Sequence, residues 1–184
     1  MPRKHFLTQA QLESLTSPIR LAIVQRLEID RQATARELAD RMGRPVTSLY
    51  HHIKQMEEIG LLRVTGQRKG PRRPEAVYAM VADYLSSAEV VKTRAGKKTY
   101  GRAVLRVAEA SARTFSAAME RGNPVFDGER RNAMVRFYLL RVDKQKIARL
   151  NTLLDELDDV AARSCDDGEE IQLTVLLTPL SGKD

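Results

Sequence analysis

The sequence has one cysteine, Cys165, in 184 residues. A lone thiol cannot close a disulfide within its own chain, and it rules out zinc sites made of several cysteines from that chain. A reducing, cytoplasmic compartment is therefore expected. No stretch approaches the roughly 18 consecutive apolar residues of a membrane span. The opening Met1-Pro2-Arg3-Lys4-His5-Phe6 is basic, but no apolar segment follows it, so neither export nor membrane insertion is expected and His5 falls in a stretch expected to be disordered. Glycine-rich phosphate loops of the P-loop or dinucleotide type are missing, as are internal repeats and low-complexity tracts. Histidines are also few. His51 and His52 are adjacent, which on a helix separates them by about 100° and keeps them from chelating one ion from one face. Cys165 has no histidine near it in sequence and sits beside Asp166 and Asp167, which disfavour a thiolate, so it reads as incidental rather than nucleophilic. The acidic run Asp155, Glu156, Asp158 and Asp159 points in several directions around a helix and reads as a solvated face. No catalytic group, metal or cofactor is expected, and the chain is not read as an enzyme.

What the sequence does have is positive charge, unevenly placed. Residues 1–81 carry 14 Lys and Arg against 8 Asp and Glu, whereas residues 82–184 carry 17 against 16. The first part is thus the candidate for a polyanionic partner.

Nearly everything before residue 60 reads as helical. Ser17 followed by Pro18 is a helix start, a hydroxyl cap and then a proline at the first position, and Ile19, Ile23 and Leu27 recur every fourth residue after it. Thr34-Ala35-Arg36-Glu37 matches a capping box opening a short helix to about Met42. Gly43-Arg44-Pro45 forces a tight turn, and a third helix is expected from about Pro45 to Glu58, ended by Gly60 as a left-handed cap. Leu61 to Thr65 and Ala76 to Val81 read as two strands of a hairpin across a loop rich in glycine and proline.

On the third helix, Val46, Leu49, Ile53 and Met56 fall in one sector, opposite Thr47, Ser48, His51, Lys54 and Gln55. That outer face offers donors, acceptors and a cation, and its only carboxylates, Glu57 and Glu58, are at the far end. Such a composition suits a major groove lined by phosphates and base edges. An ordinary solvated helix face would look similar, but the hairpin tip adds Arg68, Lys69, Arg72 and Arg73 within the eight residues 67–74, with no acid before Glu75. Cations at such a tip gain affinity for DNA by releasing condensed counterions. With Arg44 in the preceding turn, the candidate DNA-binding set is Arg44, Thr47, Ser48, His51, Lys54, Gln55, Arg68, Lys69, Arg72 and Arg73. The four tip cations are expected to reach outwards. The rival reading is a protein-interaction module that uses the basic hairpin on an acidic partner.

From Ser17-Pro18-Ile19-Arg20-Leu21-Ala22-Ile23 through Glu37-Leu38-Ala39 to Gly60-Leu61, the chain resembles the ArsR-like winged-helix repressors over about residues 10–81. The resemblance implies a dimeric bacterial or archaeal regulator whose recognition helix is Pro45 to Glu58. Metal-sensing members carry a Cys-Val-Cys run just after the Glu-Leu that corresponds to Glu37-Leu38. Here Ala39-Asp40-Arg41 follows, so no soft ligand is available for thiolate sensing at those positions.

Past residue 81, a long helix from about Lys98 to Glu120 carries Tyr100, Val104, Val107, Ala108, Ser111, Phe115, Ala118 and Met119 along one stripe, which is expected to pack on its symmetry mate. Residues 121–128 read as a turn. Met134 to Val142 reads as a strand, Asp143 as the cap of a helix with Ile147, Leu150, Leu154, Leu157 and Ala161 in register, and Ile171 to Thr178 as a second strand, parallel to the first. Phe115, Phe126, Phe137 and Tyr138 could line a pocket for an unknown small-molecule effector, but filling a core is their more ordinary use. The expected fold is mainly α with small β. It comprises a winged helix-turn-helix domain (1–81) that reads double-stranded DNA, then a dimerisation and effector-sensing region (82–184) with a long helix and a strand-helix-strand unit. The expected function is a homodimeric, sequence-specific transcriptional repressor.

Overall fold

The computed structural model describes residues 3–71, 73–122, 124–162 and 168–180; Arg72 and Cys165 lie outside them. Its contacts divide the chain into two units, Met1–Ala112 and Arg113–Asp184. The first contains β1 (Lys4–Phe6), α1 (Gln9–Ser14), α2 (Pro18–Asp30), β2 (Gln32–Thr34), α3 (Ala35–Arg41), α4 (Thr47–Glu58), β3 (Leu62–Arg68), β4 (Glu75–Met80), β5 (Tyr84–Ser86) and the start of α5 (Arg94–Arg121).

The helices follow from their ends and their apolar spacing. Thr34 accepts the Glu37 amide at 3.2 Å while the Glu37 carboxylate accepts the Thr34 amide at 2.7 Å, so the expected capping box forms. Pro18 does open α2, but the Ser17 hydroxyl makes no capping bond. The cap there is only the backbone, with the Leu21 amide on the Ser17 carbonyl at 2.9 Å. Leu12, Ile23, Leu27, Leu38, Leu49, Ile53, Met56 and Leu61, all less than 2% exposed, bring α1 to α4 onto one core. Each such side chain contributes on the order of 1.5–3 kcal/mol by leaving water.

Three strands close this core in the order β2-β4-β3, both pairs antiparallel, with a register break between Val64 and Gly66. Lys4–Phe6, expected to be disordered, instead form a strand. β1 pairs in parallel with β5, matching Lys4, His5 and Phe6 to Tyr84, Leu85 and Ser86. The reason lies in long-range partners. Gln11, buried on α1, takes the His5 Nε2 contact at 2.9 Å and the Thr8 amide at 2.9 Å on its Oε1, and donates from Nε2 to the carbonyls of Ile59 (2.8 Å) and Gly60 (3.2 Å). The Thr8-x-x-Gln11 spacing is a capping-box signal for its local bonds, but nothing local announces its bonds to Ile59 and Gly60. The compact unit also runs on beyond residue 81: Ala82, Ser86, Val90, Thr99 and Ala103 are buried, and Gln9 Nε2 donates to the Thr99 hydroxyl at 2.8 Å, docking α5 on α1.

In the second unit, α6 (Lys144–Ala162) begins as expected, with the Asp143 carboxylate accepting the Lys146 amide at 2.8 Å. Ile147, Leu150, Leu154 and Leu157 form its half-buried stripe, whereas Ala161 is exposed. Residues 125–132 close a loop through two bonds, Asn132 amide to Val125 carbonyl (3.0 Å) and Val125 amide to Asn132 Oδ1 (2.9 Å). The two expected strands are not there: neither 134–142 nor 171–178 belongs to a sheet among the described residues. Strand propensity reports fit to a pleated, half-buried surface, and within one chain these runs lack that burial. Nor do Phe126, Phe137 and Tyr138 fill a core; they are 54%, 83% and 62% exposed.

Replacing Gln11 by Leu leaves the two carbonyls at the end of α4 and the Thr8 amide without their partner, and buried polar groups so orphaned cost about 1–3 kcal/mol. Urea unfolding followed by circular dichroism is expected to show a loss of that size, against less than about 0.5 kcal/mol for the exposed Lys54→Ala.

Candidate nucleic-acid interface

Helix α4 is set between two turns of the same type. After α3, Gly43 takes φ 60°, its amide reaches the Asp40 carbonyl (3.2 Å), and the Arg44 amide reaches Ala39 (2.9 Å). After α4, Gly60 takes φ 70°, with its amide on Glu57 (2.9 Å) and that of Leu61 on Met56 (2.8 Å). Both satisfy the orphan carbonyls of a helix end through a left-handed residue that lacks a Cβ. At the far end Asp30 receives Arg41 at 2.8 Å and ties α3 to α2.

With Leu49, Ile53 and Met56 buried, α4 presents Thr47, Ser48, Tyr50, His51 and Lys54 as exposed side chains, with Val46, His52 and Gln55 half-buried. Helix α4 itself starts at Thr47; Pro45 and Val46 precede it. Their hydrogen-bonding states differ. The Ser48 hydroxyl donates to the Pro45 carbonyl at 2.7 Å, so it is left to act as an acceptor. Gln55 Oε1 accepts Arg20 Nη1 at 2.8 Å, while Arg20 Nε donates to the Ser14 carbonyl at 2.8 Å; the Gln55 NH2 group keeps its donors. Lys54 Nζ stands 3.8 Å from Glu58 with both side chains largely in water, a pairing too weak to hold it from another anion. The His51 and His52 rings meet edge-on, 5.8 Å between centroids. Burial, followed by the nearby Arg20, His51 and Arg44 cations, holds the His52 imidazole below its ordinary range. Its Nδ1 is buried with no hydrogen-bond partner among the described residues. His51, out in solvent, is the histidine that a ligand on this face would meet.

The hairpin of β3 and β4 stands beside this helix, and its cations divide into two groups. Arg68, expected to reach outwards, instead folds back onto Glu37, with Nη1 at 2.7 and 2.8 Å from the two carboxylate oxygens. Across the hairpin, Arg36 places Nε and Nη2 at 2.9 and 2.8 Å from Glu75 Oε1. These two pairs brace the loop end of the hairpin, where Arg68 and Glu75 face each other, against α3. Burial alone would raise the Glu37 carboxyl, but the Thr34 amide and the Arg68 guanidinium outweigh it and hold it below the ordinary carboxylate range. Lys69 and Arg73, in the unpaired loop, are exposed and make no side-chain bond among the described residues. Arg44 is exposed in the turn before α4.

Between α4 and the hairpin lies a cleft of about 770 Å³ that Arg36, Tyr50, Arg73 and Tyr78 help to line. Tyr50 and Arg36 were absent from the expected set. On a 100° wheel Tyr50 falls at the border of the apolar sector, and only the folded hairpin reveals that this border faces an open cleft. Its 46% exposure is the signal.

Residues 15–65 match the helix-turn-helix domain family. The match runs from the end of α1 through α2, α3 and α4 into β3, so the helix-turn-helix is α3 and α4 joined at Met42 to Val46. It stops short of the hairpin tip. No curated protein matches the chain. Among the described residues, no three His, Cys, Asp or Glu side chains gather as a metal would need, and no helix is long and apolar enough to cross a membrane.

Because the folded-state Glu37 carboxyl is lowered, its stabilising contribution is complete above the ordinary carboxylate range and is lost as the pH falls through its lowered value. Thermal melts between about pH 7 and pH 3 are expected to show a shallower acid loss in Glu37→Gln than in the wild type, from a lower starting melting temperature.

Proposed function

We propose that the chain is a sequence-specific double-stranded DNA-binding transcriptional regulator, acting as a homodimeric repressor through a winged helix-turn-helix domain. The observation that carries this reading is the helix-turn-helix match over residues 15–65, which covers the helix whose exposed side is Thr47, Ser48, His51 and Lys54. A single α-helix fits the major groove of B-DNA, about 12 Å wide, and hydroxyl, imidazole and amide groups pair with base edges there. The exposed cations Arg44, Lys54, Lys69 and Arg73 suit the phosphates on either side, with β3 and β4 as the wing. Such a regulator works by occupying its site and needs no catalytic group. Blocking access to a promoter requires nothing more, which favours repression, in the cytoplasm.

The homodimer rests on α5. Beyond Ala103 its stripe of Val104, Val107, Ala108, Ser111, Phe115 and Met119 is only half-buried. Packed on the same stripe of a second copy, it would hold two recognition helices about 34 Å apart, the spacing of successive major grooves.

Selection from random duplex DNA is expected to enrich a two-fold symmetric site. His51→Ala and Thr47→Ala are each expected to lose about 1–3 kcal/mol of discrimination at one base position. Arg73→Ala is expected to weaken binding to every sequence and to flatten the log-log salt slope by about 0.9. No enrichment, with all three variants binding like the wild type, would rule the reading out.

A further inference from the structure

Ala103 is the last described residue in the chain to be buried. In the second unit, the runs 134–142 and 171–178 carry twelve apolar side chains that are 43–83% exposed, from Phe137 at 83% and Val135 at 75% to Val142 at 43%. The Asn132 side chain donates to Glu169 at 3.0 Å, which brings the starts of the two runs together and makes their open surfaces neighbours. Twelve such side chains expose on the order of 1,000 Å², whereas a standard interface needs about 800 Å² per partner and monomers seldom leave more than a few hundred in one patch. Both runs are rich in β-branched and aromatic residues, yet neither belongs to a sheet.

Charge narrows the choice of occupant. The first run carries Arg136 and Arg141 and no acid before Asp143, whereas the second, Ile171 to Thr178, carries no charge and is preceded by Glu169-Glu170. A surface that is basic in one strip and uncharged, with acids at its start, in the next fits neither an anionic membrane nor a uniformly charged partner. It fits itself, because a two-fold axis through the boundary of the two strips sets each copy's basic strip against the other's acid-flanked strip.

We propose that a second copy of this chain covers runs 134–142 and 171–178, the extended segments of both copies combining in one shared sheet across a two-fold axis. This deepens the homodimer reading above and rests on it. Adding strands edge to edge satisfies main-chain groups and buries the alternate side chains in the same step.

Sedimentation equilibrium on the full chain tests it. The wild type is expected to be dimeric at micromolar concentration, and the double variant Phe137→Asp with Leu173→Asp to raise the dimer dissociation constant about 100-fold or more, as the loss of two interface anchors would. Far-UV circular dichroism is expected to show the helices of the first unit intact. On the wild type, hydrogen exchange at the amides of 134–142 and 171–178 is expected to slow as concentration rises through the dissociation constant. A variant that dimerises like the wild type, or exchange at these amides that ignores concentration, would overturn the proposal, as would a monomeric wild type that floats with phosphatidylcholine vesicles. If the wild type dimerises through these runs but selects no DNA, the DNA-binding reading fails and this inference stands. If the double variant stays dimeric and still selects a symmetric site, the reverse holds.

Discussion

The fold of the first unit depends on one buried carboxamide. Gln11 uses both ends of its side chain, accepting at the start of α1 and from the β1 side while donating to the two carbonyls that close α4. The last carbonyls of α4 are met by the amides of the turn that follows it, but the carbonyls of that turn, Ile59 and Gly60, take their donor from 48 and 49 residues away in the chain. The same side chain therefore ties His5 on β1 and the start of α1 to the turn after α4. Arg20 does a similar service further along, joining α1 to Gln55 on the half-buried side of α4. The outer face of α4 is thus set by its buried Leu49, Ile53 and Met56 and by polar bonds from α1 and α2 near its end.

Electrostatics divides labour around that face. Arg68 and Arg36 are spent on Glu37 and Glu75, and these pairs hold the hairpin to α3. Exposed ion pairs contribute little to stability on their own, but two of them on opposite strands restrict how far the hairpin can swing. Lys69, Arg73 and Arg44 remain exposed for an outside anion. Half-burying His52 while His51 faces solvent separates two adjacent, identical side chains into one packing group and one hydrogen-bonding group.

The second unit presents the opposite situation. It has caps and apolar periodicity, with Asp143 and the stripe of α6 placed as helix chemistry requires, yet no described residue in it is buried. Secondary structure here is local, set by caps and apolar spacing within the unit's own segments. The open apolar surface of runs 134–142 and 171–178 is the observation on which the proposed contact with a second copy rests.

Most of the first unit was legible in the sequence because its signals are local. The Thr34-Glu37 capping box, the glycines at 43 and 60, the buried set Leu49, Ile53 and Met56, and the helix-turn-helix order each depend on residues within four or five positions, where backbone geometry decides. The basic hairpin was legible for the same reason. Tertiary structure alone decided what depends on distant partners. It ordered β1 on β5, folded Arg68 back on Glu37, opened the cleft beside Tyr50, and left Phe137 and Tyr138 in solvent. An alternating pattern records that a strand wants a neighbour and a covered face, but the neighbour is chosen by contacts between residues far apart in the chain, or in another chain, and no local pattern encodes those.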